Sequence, residues 1–491
     1  MNEETLRVLE YDKVQVLLTG FTSTEPGREL AQGLRPLPVA EVGETLAEVG
    51  EMMAVLDLAG RPPVGGARDL REPLRQLRAQ GSWIPAGELL EVLSSIETAQ
   101  ACRRFFPPGE RPSRLVDQAL QLAPLKELGR ELRASIGPRG EILDSASFEL
   151  GEIRRETVST RGRIRRTLES LLATESLAGV FQERLVTDRG GRYVVPVRSD
   201  HRGQLKGFIH DESASGQTLY LEPTAVLESN NRLQSLLREE KREEEKILRR
   251  LAEGVRREGL ALATNQQILA RFDFLAAVAS FSRQCRATIP QLTTEPLLEL
   301  RGARHPLLLL NPDGTPRAGE AIPVDLLLGA ERDTLVISGP NTGGKTVALK
   351  TVGLLLLMVR SGLPLPCAEG SRVHLFARVF ADIGDEQSIE ANLSTFSGHL
   401  SRIRRILAEA DGDSLVLLDE AGTGTDPAEG GALALAVLDT LRQRGARTVV
   451  TTHLNLIKGY AHLQGGVDNA AVEFDSRTLA PTYRLHYGIP G

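Results

Sequence analysis

Apolar residues recur at helical spacing from the start of the chain. Leu9, Val14, Val16 and Leu17 open a stripe that breakers punctuate at Pro36-Leu-Pro38, Arg61-Pro-Pro63 and Pro107-Pro108. Residues 1–143 are therefore expected to form a helical core domain with short loops. From about residue 148, Leu150, Ile153, Ile164, Leu168 and Leu171 fall by threes, fours and their sums on one helix face among arginines, which predicts a long helix. The period changes at Phe181. Leu185-Val186, Tyr193-Val-Val195 with Val197, Phe208-Ile209 and Leu219-Tyr-Leu221 are short apolar runs separated by Asp188-Arg-Gly-Gly191, Arg202-Gly203 and Ser213-Ala-Ser-Gly216. These read as the hairpins of a small β-module over about 181–223. Helical spacing returns after Pro223 and persists towards Arg283, with Leu227, Leu233, Leu236, Ile247, Leu248, Leu251 and Val255 on the stripe and an all-charged middle, Arg238 to Lys246. A single helix of about 60 residues would reach about 90 Å, several times the diameter of a small domain. The pattern thus predicts a pair of antiparallel arms over 144–284 that carry the β-module and meet along a narrow coiled-coil-like stripe. A broken helix with a solvated face in a compact domain is the alternative.

At roughly 150 residues per domain, the chain's 491 residues suggest about three domains. With 41% apolar and 25% charged residues it is not disordered, collagenous or a disulfide scaffold. Cys102, Cys285 and Cys367 lie far apart without neighbours at metal-ligand spacing, which fits a reducing compartment and no structural zinc. Met1-Asn-Glu-Glu has no signal-peptide pattern, so a cytoplasmic location is expected. The most apolar stretch, Val352 to Val359, is far short of the ~20 residues of a membrane span, so no membrane partner is expected. Net charge is −6, so a nucleic-acid partner must be met by a local patch. Such a patch is at hand in the β-module, where Arg184, Arg189, Arg192, Arg198, Arg202 and Lys206 face only Asp188 and Asp200 along the chain. Arginines beside glycine loops contact phosphodiesters without reading sequence.

The strongest chemical signal is Gly339-Pro340-Asn341-Thr342-Gly343-Gly344-Lys345-Thr346, a G-x-x-x-x-G-K-[ST] phosphate loop. Its context is right, with the buried-strand run Leu335-Val-Ile337 before it and a helical pattern from Val347 to Val359 after it. The glycines let backbone N–H groups wrap phosphates, Lys345 reaches the β- and γ-oxygens of ATP, and Thr346 offers a hydroxyl to Mg²⁺. Further along, Leu415-Val-Leu-Leu418 ends in Asp419-Glu420. A buried strand would carry both carboxylates to the C-terminal edge of an open sheet, Asp419 for Mg²⁺ and Glu420 to polarise the attacking water. Thr448 to Thr452 is another strand, ending in His453, a candidate γ-phosphate sensor. Ser394-Thr395-Phe396-Ser397 precedes a helical run from His399 to Leu407, which suggests a helix N-terminus aimed at an anion.

Together, Gly339 to Thr346, Ser394-Thr-Phe396, Leu418-Asp-Glu-Ala-Gly-Thr-Gly-Thr-Asp-Pro427 and Thr451-Thr-His453 resemble the MutS ATPase, a branch of the ABC-type fold. Tyr193-Val-Val-Pro-Val197, His210 to Thr218 and Gly384-Asp-Glu-Gln387 resemble the type-2 branch of bacterial MutS, over essentially the whole chain. The resemblance implies an α+β multidomain protein: a helical core (1–143), lever arms with a β clamp module (144–284) and an ABC-type α/β ATPase domain (285–491). It further implies a homodimer with composite sites. Ser394, near Asn392, would contact the γ-phosphate in trans, Asp426 would lie across the dimer seam, and Ile322 would line the adenine pocket. Asn392 stands where ordinary MutS has a signature glycine.

Ordinary MutS reads a mispair with an N-terminal Phe-x-Glu wedge. Here those letters fall only at Phe181-Gln-Glu183 in the arm region, so mismatch recognition is not expected. The type-2 branch is associated instead with branched DNA and suppression of homologous recombination, and with splitting collided ribosomes by contact with rRNA. It also carries a C-terminal Smr nuclease domain. This chain ends at Gly488-Ile-Pro-Gly491, and its nearest match to the nuclease motif, Leu56-Asp-Leu-Ala-Gly60, lacks the basic residue. The expectation is an ATPase truncated before the nuclease, without nuclease activity. Two other classes are weighed: a nucleotide-switched binding module with negligible turnover, and a chromosome-type structural ATPase. In the latter the nucleotide motifs flank the coil, whereas here both follow it.

Overall fold

The computed structural model describes residues 3–107, 109, 113–318, 321–329, 331–340, 344–384, 392–423, 425–475 and 480–488, apart from the side chains of 392–397, 474, 475 and 480–483. The described residues mix helices with three sheets and fall into two compact units that do not follow chain order. One comprises Met1–Gly65, Ala101–Leu122 and Gln267–Gly491, the other Gly66–Gln100 and Ala123–Gln266.

In the second unit the helices Phe148–Leu172 and Thr224–Arg257 run antiparallel. Contacts that step in opposite directions along the two show this: Ser147 with Glu243 at 3.1 Å, Arg154 with Glu240 at 2.7 Å and Arg232 with Glu156 at 2.7 Å. The buried face of the first helix is Leu150, Thr157, Thr160, Ile164, Leu168 and Leu172. Ile153 and Leu171, expected on the stripe, are only half-buried. The charged run Arg238 to Lys246 is more than a solvated face, because Glu240 and Glu244 close on Arg154, which also bonds Asp144 at 2.7 Å. Burial lowers the pKa of this guanidinium, but Asp144 and Glu240 outweigh it and raise the pKa further. The expected helix of about 60 residues is two helices, Thr224–Arg257 and Gly259–Gln284. Glu258 interrupts them: its N–H turns back to the Gly254 carbonyl at the end of the first helix, and glycine follows.

Between the two antiparallel helices the predicted hairpins form: β1 Thr187–Arg189, β2 Arg192–Arg198, β3 Gly207–Glu212 and β4 Thr218–Pro223, antiparallel in the order β1-β2-β4-β3. Phe181 is buried with Val195, Val197, Leu221 and Ile164, so its ring is part of this module's core.

In the first unit, Leu9, Val14, Leu17 and Leu18 are buried, whereas Val16, read as part of that stripe, is 61% exposed. A four-stranded sheet joins β5 Gln291–Thr293, β6 Leu298–Ala303, β7 Val324–Leu328 and β9 Arg372–His374. The larger sheet holds β8 Thr334–Ser338, β10 Arg378–Asp382, β11 Ser414–Leu418, β12 Arg447–Thr452, β13 Val467–Asp475 and β14 Ala480–Tyr487, in the order β10-β11-β12-β8-β13-β14. Its strands are parallel except β14. β8, β11 and β12 carry apolar runs with Ser or Thr and no alternation because both faces are covered. On one side Val336, Val416 and Val450 pack under Leu438 of the helix Pro427–Gln443 and Ile457 of the helix Asn455–Leu463. On the other, the helix Lys345–Arg360 approaches so closely that a Cβ on Gly353 would stand 2.6 Å from Leu417 and Leu9 side chains. The carboxyl ends of β10, β11, β12 and β8 thus lie side by side on one edge.

Candidate nucleotide site

Phosphate loop and acidic pair meet on that edge. β8 leads into Gly339 (φ 143°) and Pro340, and Gly344 (φ 86°) opens the helix Lys345–Arg360. Both glycines occupy backbone that other residues avoid. Asn341, Thr342 and Gly343 lie outside the described residues. Lys345 is 1% exposed, and its Nζ donates to the Gly339 carbonyl at 2.6 Å, which holds the ammonium across the loop. Burial lowers its pKa, while Glu420 and Asp419 pull the other way.

Thr346 Oγ1 donates to Asp419 Oδ2 at 2.8 Å. Adjacent oxygen ligands of an octahedral Mg²⁺, each at about 2.1 Å, stand about 3 Å apart. This hydroxyl and carboxylate therefore fit that cation in both donor chemistry and spacing. Asp419 is held from behind by Thr451, whose Oγ1 donates to Oδ1 and accepts the Glu420 N–H at 2.8 Å. Glu420 has φ 47°, unusual for a residue with a side chain. Thr423 stabilises this turn by donating its N–H (3.2 Å) and Oγ1 (2.8 Å) to the Glu420 carbonyl. Beyond it the chain passes so tightly that a Cβ on Gly430 would stand 1.9 Å from the Gly422 carbonyl oxygen.

Other anticipated residues are less tightly gathered. His453 is exposed and directly follows β12, whose Thr452 pairs with Ser338 of β8. Ile322 lines a cavity of about 440 Å³ with His305, Leu308, Gly344 and Val347, an apolar recess against the first turn of the phosphate-loop helix. Asp426 is exposed and caps the helix Pro427–Gln443, accepting from the N–H groups of Ala428 (2.9 Å) and Glu429 (3.3 Å). The helix expected to open at the hydroxyl cluster Ser394 to Ser397 runs from Asn392 to Glu409, with that cluster in its first turns. The Ser394 side chain lies outside the described residues.

Sequence reasoning missed Asp382, His399, Arg402 and the bridging role of Thr451. Asp382 carried a signal: like Asp419 it ends an apolar strand run, Val379-Phe-Ala381.

In the β-module the basic patch needs correction. Beyond Asp188 and Asp200, the fold brings Asp211 and Glu222 from β3 and β4 against it. Arg192 bonds the fully buried Glu222 at 2.8 Å and Asn231 at 2.7 Å. Arg189 pairs with Asp211 at 3.2 Å and lies 3.9 Å over the Tyr220 ring, and Arg198 pairs with Asp200 at 3.1 Å. Glu222 also accepts from Asn230 Nδ2 at 2.7 Å and meets His210 Nε2 at 2.5 Å. Arg184, Arg202 and Lys206 are exposed and make no ion pair among the described residues. Arg184 lines a cleft of about 680 Å³ with Arg161, Arg165 and Tyr193, the first two from the helix Phe148–Leu172.

Comparison with known proteins matches residues 335–489 to MutS domain V, an ABC-like ATPase domain. Over its whole length the chain is 44% identical to Endonuclease MutS2 of Pelotomaculum thermopropionicum, covering 62% of that protein. It is 43% identical to Endonuclease MutS2 of Halothermothrix orenii (62% covered) and 44% identical to that of Symbiobacterium thermophilum (61% covered). The chain thus spans about three-fifths of the length of these relatives. Among the described residues no helix is long and apolar enough to cross a membrane. The domain V match on the sheet that gathers Lys345, Thr346, Asp419 and Glu420, and the alignment of the whole chain with these relatives, bear out the resemblance to the type-2 branch of MutS read from the motifs.

Proposed function

We propose that this chain is an ATPase clamp that works as a homodimer and closes on nucleic acid, either branched or duplex DNA or the rRNA of collided ribosomes, in the cytoplasm. The observation that carries the reading is the Lys345, Thr346, Asp419 and Glu420 cluster at one sheet edge. Backbone N–H groups of the loop and Lys345 bind the phosphates, and the recess at Ile322 takes the base. Mg²⁺, held by Thr346 and Asp419, would neutralise charge on the β- and γ-oxygens. Glu420 accepts a proton from the attacking water, and His453 senses the γ-phosphate. Ser394 and Asp426 complete the pocket of the second copy. The exposed position of Asp426 at a helix start supports this assignment. ATP then joins two heads, and hydrolysis releases them. The 1–143, 144–284 and 285–491 division serves as the functional plan of core, arms with clamp, and ATPase.

Solution mass tests the split pocket. With a non-hydrolysable ATP analogue and Mg²⁺ the purified chain should weigh twice its monomer, and monomers throughout a wide concentration range would refute the reading.

For nucleic acid, the exposed Arg184, Arg202 and Lys206 supply the available charge, with Arg161 in the cleft that Arg184 lines. Arg189, Arg192 and Arg198 are partly spent within the module. Replacing Arg184, Arg202 and Lys206 together by Ala should weaken four-way-junction and ribosome binding alike. It should also flatten the dependence of log K on log salt by about two to three units, close to one per lost phosphate contact. An unchanged slope in gel shifts at graded salt would remove the module from the interface.

A further inference from the structure

Asp382 ends β10 on the same sheet edge, one strand from Asp419, with its side chain 5% exposed. Two sets of bonds leave it in different directions. Its backbone carbonyl accepts the Asp419 N–H at 2.9 Å. Its carboxylate takes His399 Nδ1 at 3.0 Å from each oxygen and Arg402 Nε at 2.5 Å from Oδ1. With its proton on Nδ1 the imidazole donates to the carboxylate. Both donors stand on the helix Asn392–Glu409, one turn apart. The ring is also closed in by backbone, since a Cβ on Gly384 would lie 3.0 Å from His399 Cε1. Arg402 and Arg405 reach on to Glu4, the latter at 2.5 Å.

A buried carboxylate is strongly disfavoured unless its partners stay in place. The helix therefore cannot slide or turn about its axis without breaking both contacts to Asp382. The start of this helix, Asn392 to Ser397, is the segment that the split-pocket reading presents to the second copy. The hold on Asp419, by contrast, is through backbone and independent of the Asp382 side chain.

We propose that Asp382 is a positioning residue acting in trans: through His399 and Arg402 it sets where its chain presents the start of the helix Asn392–Glu409, and so governs turnover in the partner's nucleotide pocket. This rests on the split-pocket reading above.

Asp382→Asn keeps the shape and the backbone carbonyl while removing the charge. Steady-state ATPase assays should show kcat lower by about tenfold to a hundredfold, the scale of a displaced catalytic neighbour, with KM and ATP binding little changed. The decisive measurement mixes this variant with Lys345→Ala, whose own phosphate site is disabled but whose helix Asn392–Glu409 is intact. A mixed dimer pairs the working loop of the Asp382→Asn chain with the correctly held helix of the Lys345→Ala chain. Turnover should therefore rise several-fold above the mean of the two separate variants. If dimers form and mixing restores nothing, or if Asp382→Asn turns over like wild type, the trans role is wrong while the split pocket survives. If the wild-type chain stays monomeric with analogue and Mg²⁺, both fall.

Should Asp382→Asn fail to fold, His399 carries the same test. His399→Ala should show the kcat loss, and His399→Asn, which keeps an N–H donor near the Nδ1 position, should recover most of it. Equal losses in the two variants would overturn the assignment.

Discussion

Replacing Glu420 by Ala should leave ATP bound and the dimer closed while phosphate release falls by at least about 10²-fold, the usual contribution of a positioned general base. The backbone at this residue is set independently of its carboxylate. Thr451 Oγ1 accepts its N–H, Thr423 donates twice to its carbonyl, and the left-handed φ of 47° is equally awkward for Ala. The variant deletes the proton acceptor and its electrostatic pull on Lys345, while the contacts Lys345 to Gly339 and Thr346 to Asp419 do not involve the deleted carboxylate. Nucleotide retained per chain, solution mass and phosphate release measured together decide the matter. Retained ATP in a persistent dimer with turnover lost is the expected result. Equal slow rates in wild type and variant would mean that the chain is a nucleotide-switched binder without catalytic turnover.

The largest stability effect should come from a residue remote from that chemistry. Asp273, on the helix Gly259–Gln284, has a fully buried carboxylate. It accepts from the Ser23 N–H at 2.9 Å, from the Thr24 N–H at 2.8 Å and Oγ1 at 2.7 Å, and from Arg61 at 3.0 Å. Thr24 in turn caps the helix Glu25–Gln32, and a Cβ on Gly27 would stand 2.3 Å from Asp273 Oδ2. One carboxylate thus ties three segments of the chain together, and Asp273→Ala would leave the two buried Thr24 donors, with the Ser23 N–H and Arg61, without their acceptor. Losing one member of such a network costs about 3–5 kcal/mol. Thermal unfolding should show a drop of several degrees in the transition containing this unit. A midpoint within a degree of wild type would mean that the network contributes little.

Much of the fold and site was legible along the chain because the signals are local. A phosphate loop needs strand, glycines and helix in immediate succession, and Gly339 to Thr346 supplies them between β8 and the helix Lys345–Arg360. Asp419 and Glu420 stood out because a wholly apolar strand ending in acids has one sensible edge on which to present them. The switch from helical to alternating period marked the β-module, and the resemblance to the MutS family follows from motifs of this kind.

Charge pairing and helix ends were not legible, because both depend on what arrives from elsewhere. The cations of the β-module looked opposed by Asp188 and Asp200 alone when counted along the chain, until β3 and β4 placed Asp211 and Glu222 against them. The partners of the charged run Arg238 to Lys246 could not be named until Arg154 met it from an antiparallel helix. Periodicity did not locate the break at Glu258, which separates Thr224–Arg257 from Gly259–Gln284. By itself, then, the sequence determined the element types, the phosphate loop and the acidic strand end, each set by neighbours within one turn or strand. Tertiary structure alone decided that Thr451 braces Asp419, that Asp382 grips His399 and Arg402, and which arginines stay unpaired. Such contacts join residues far apart in the chain, and parallel strand order, not sequence spacing, brings them to one edge.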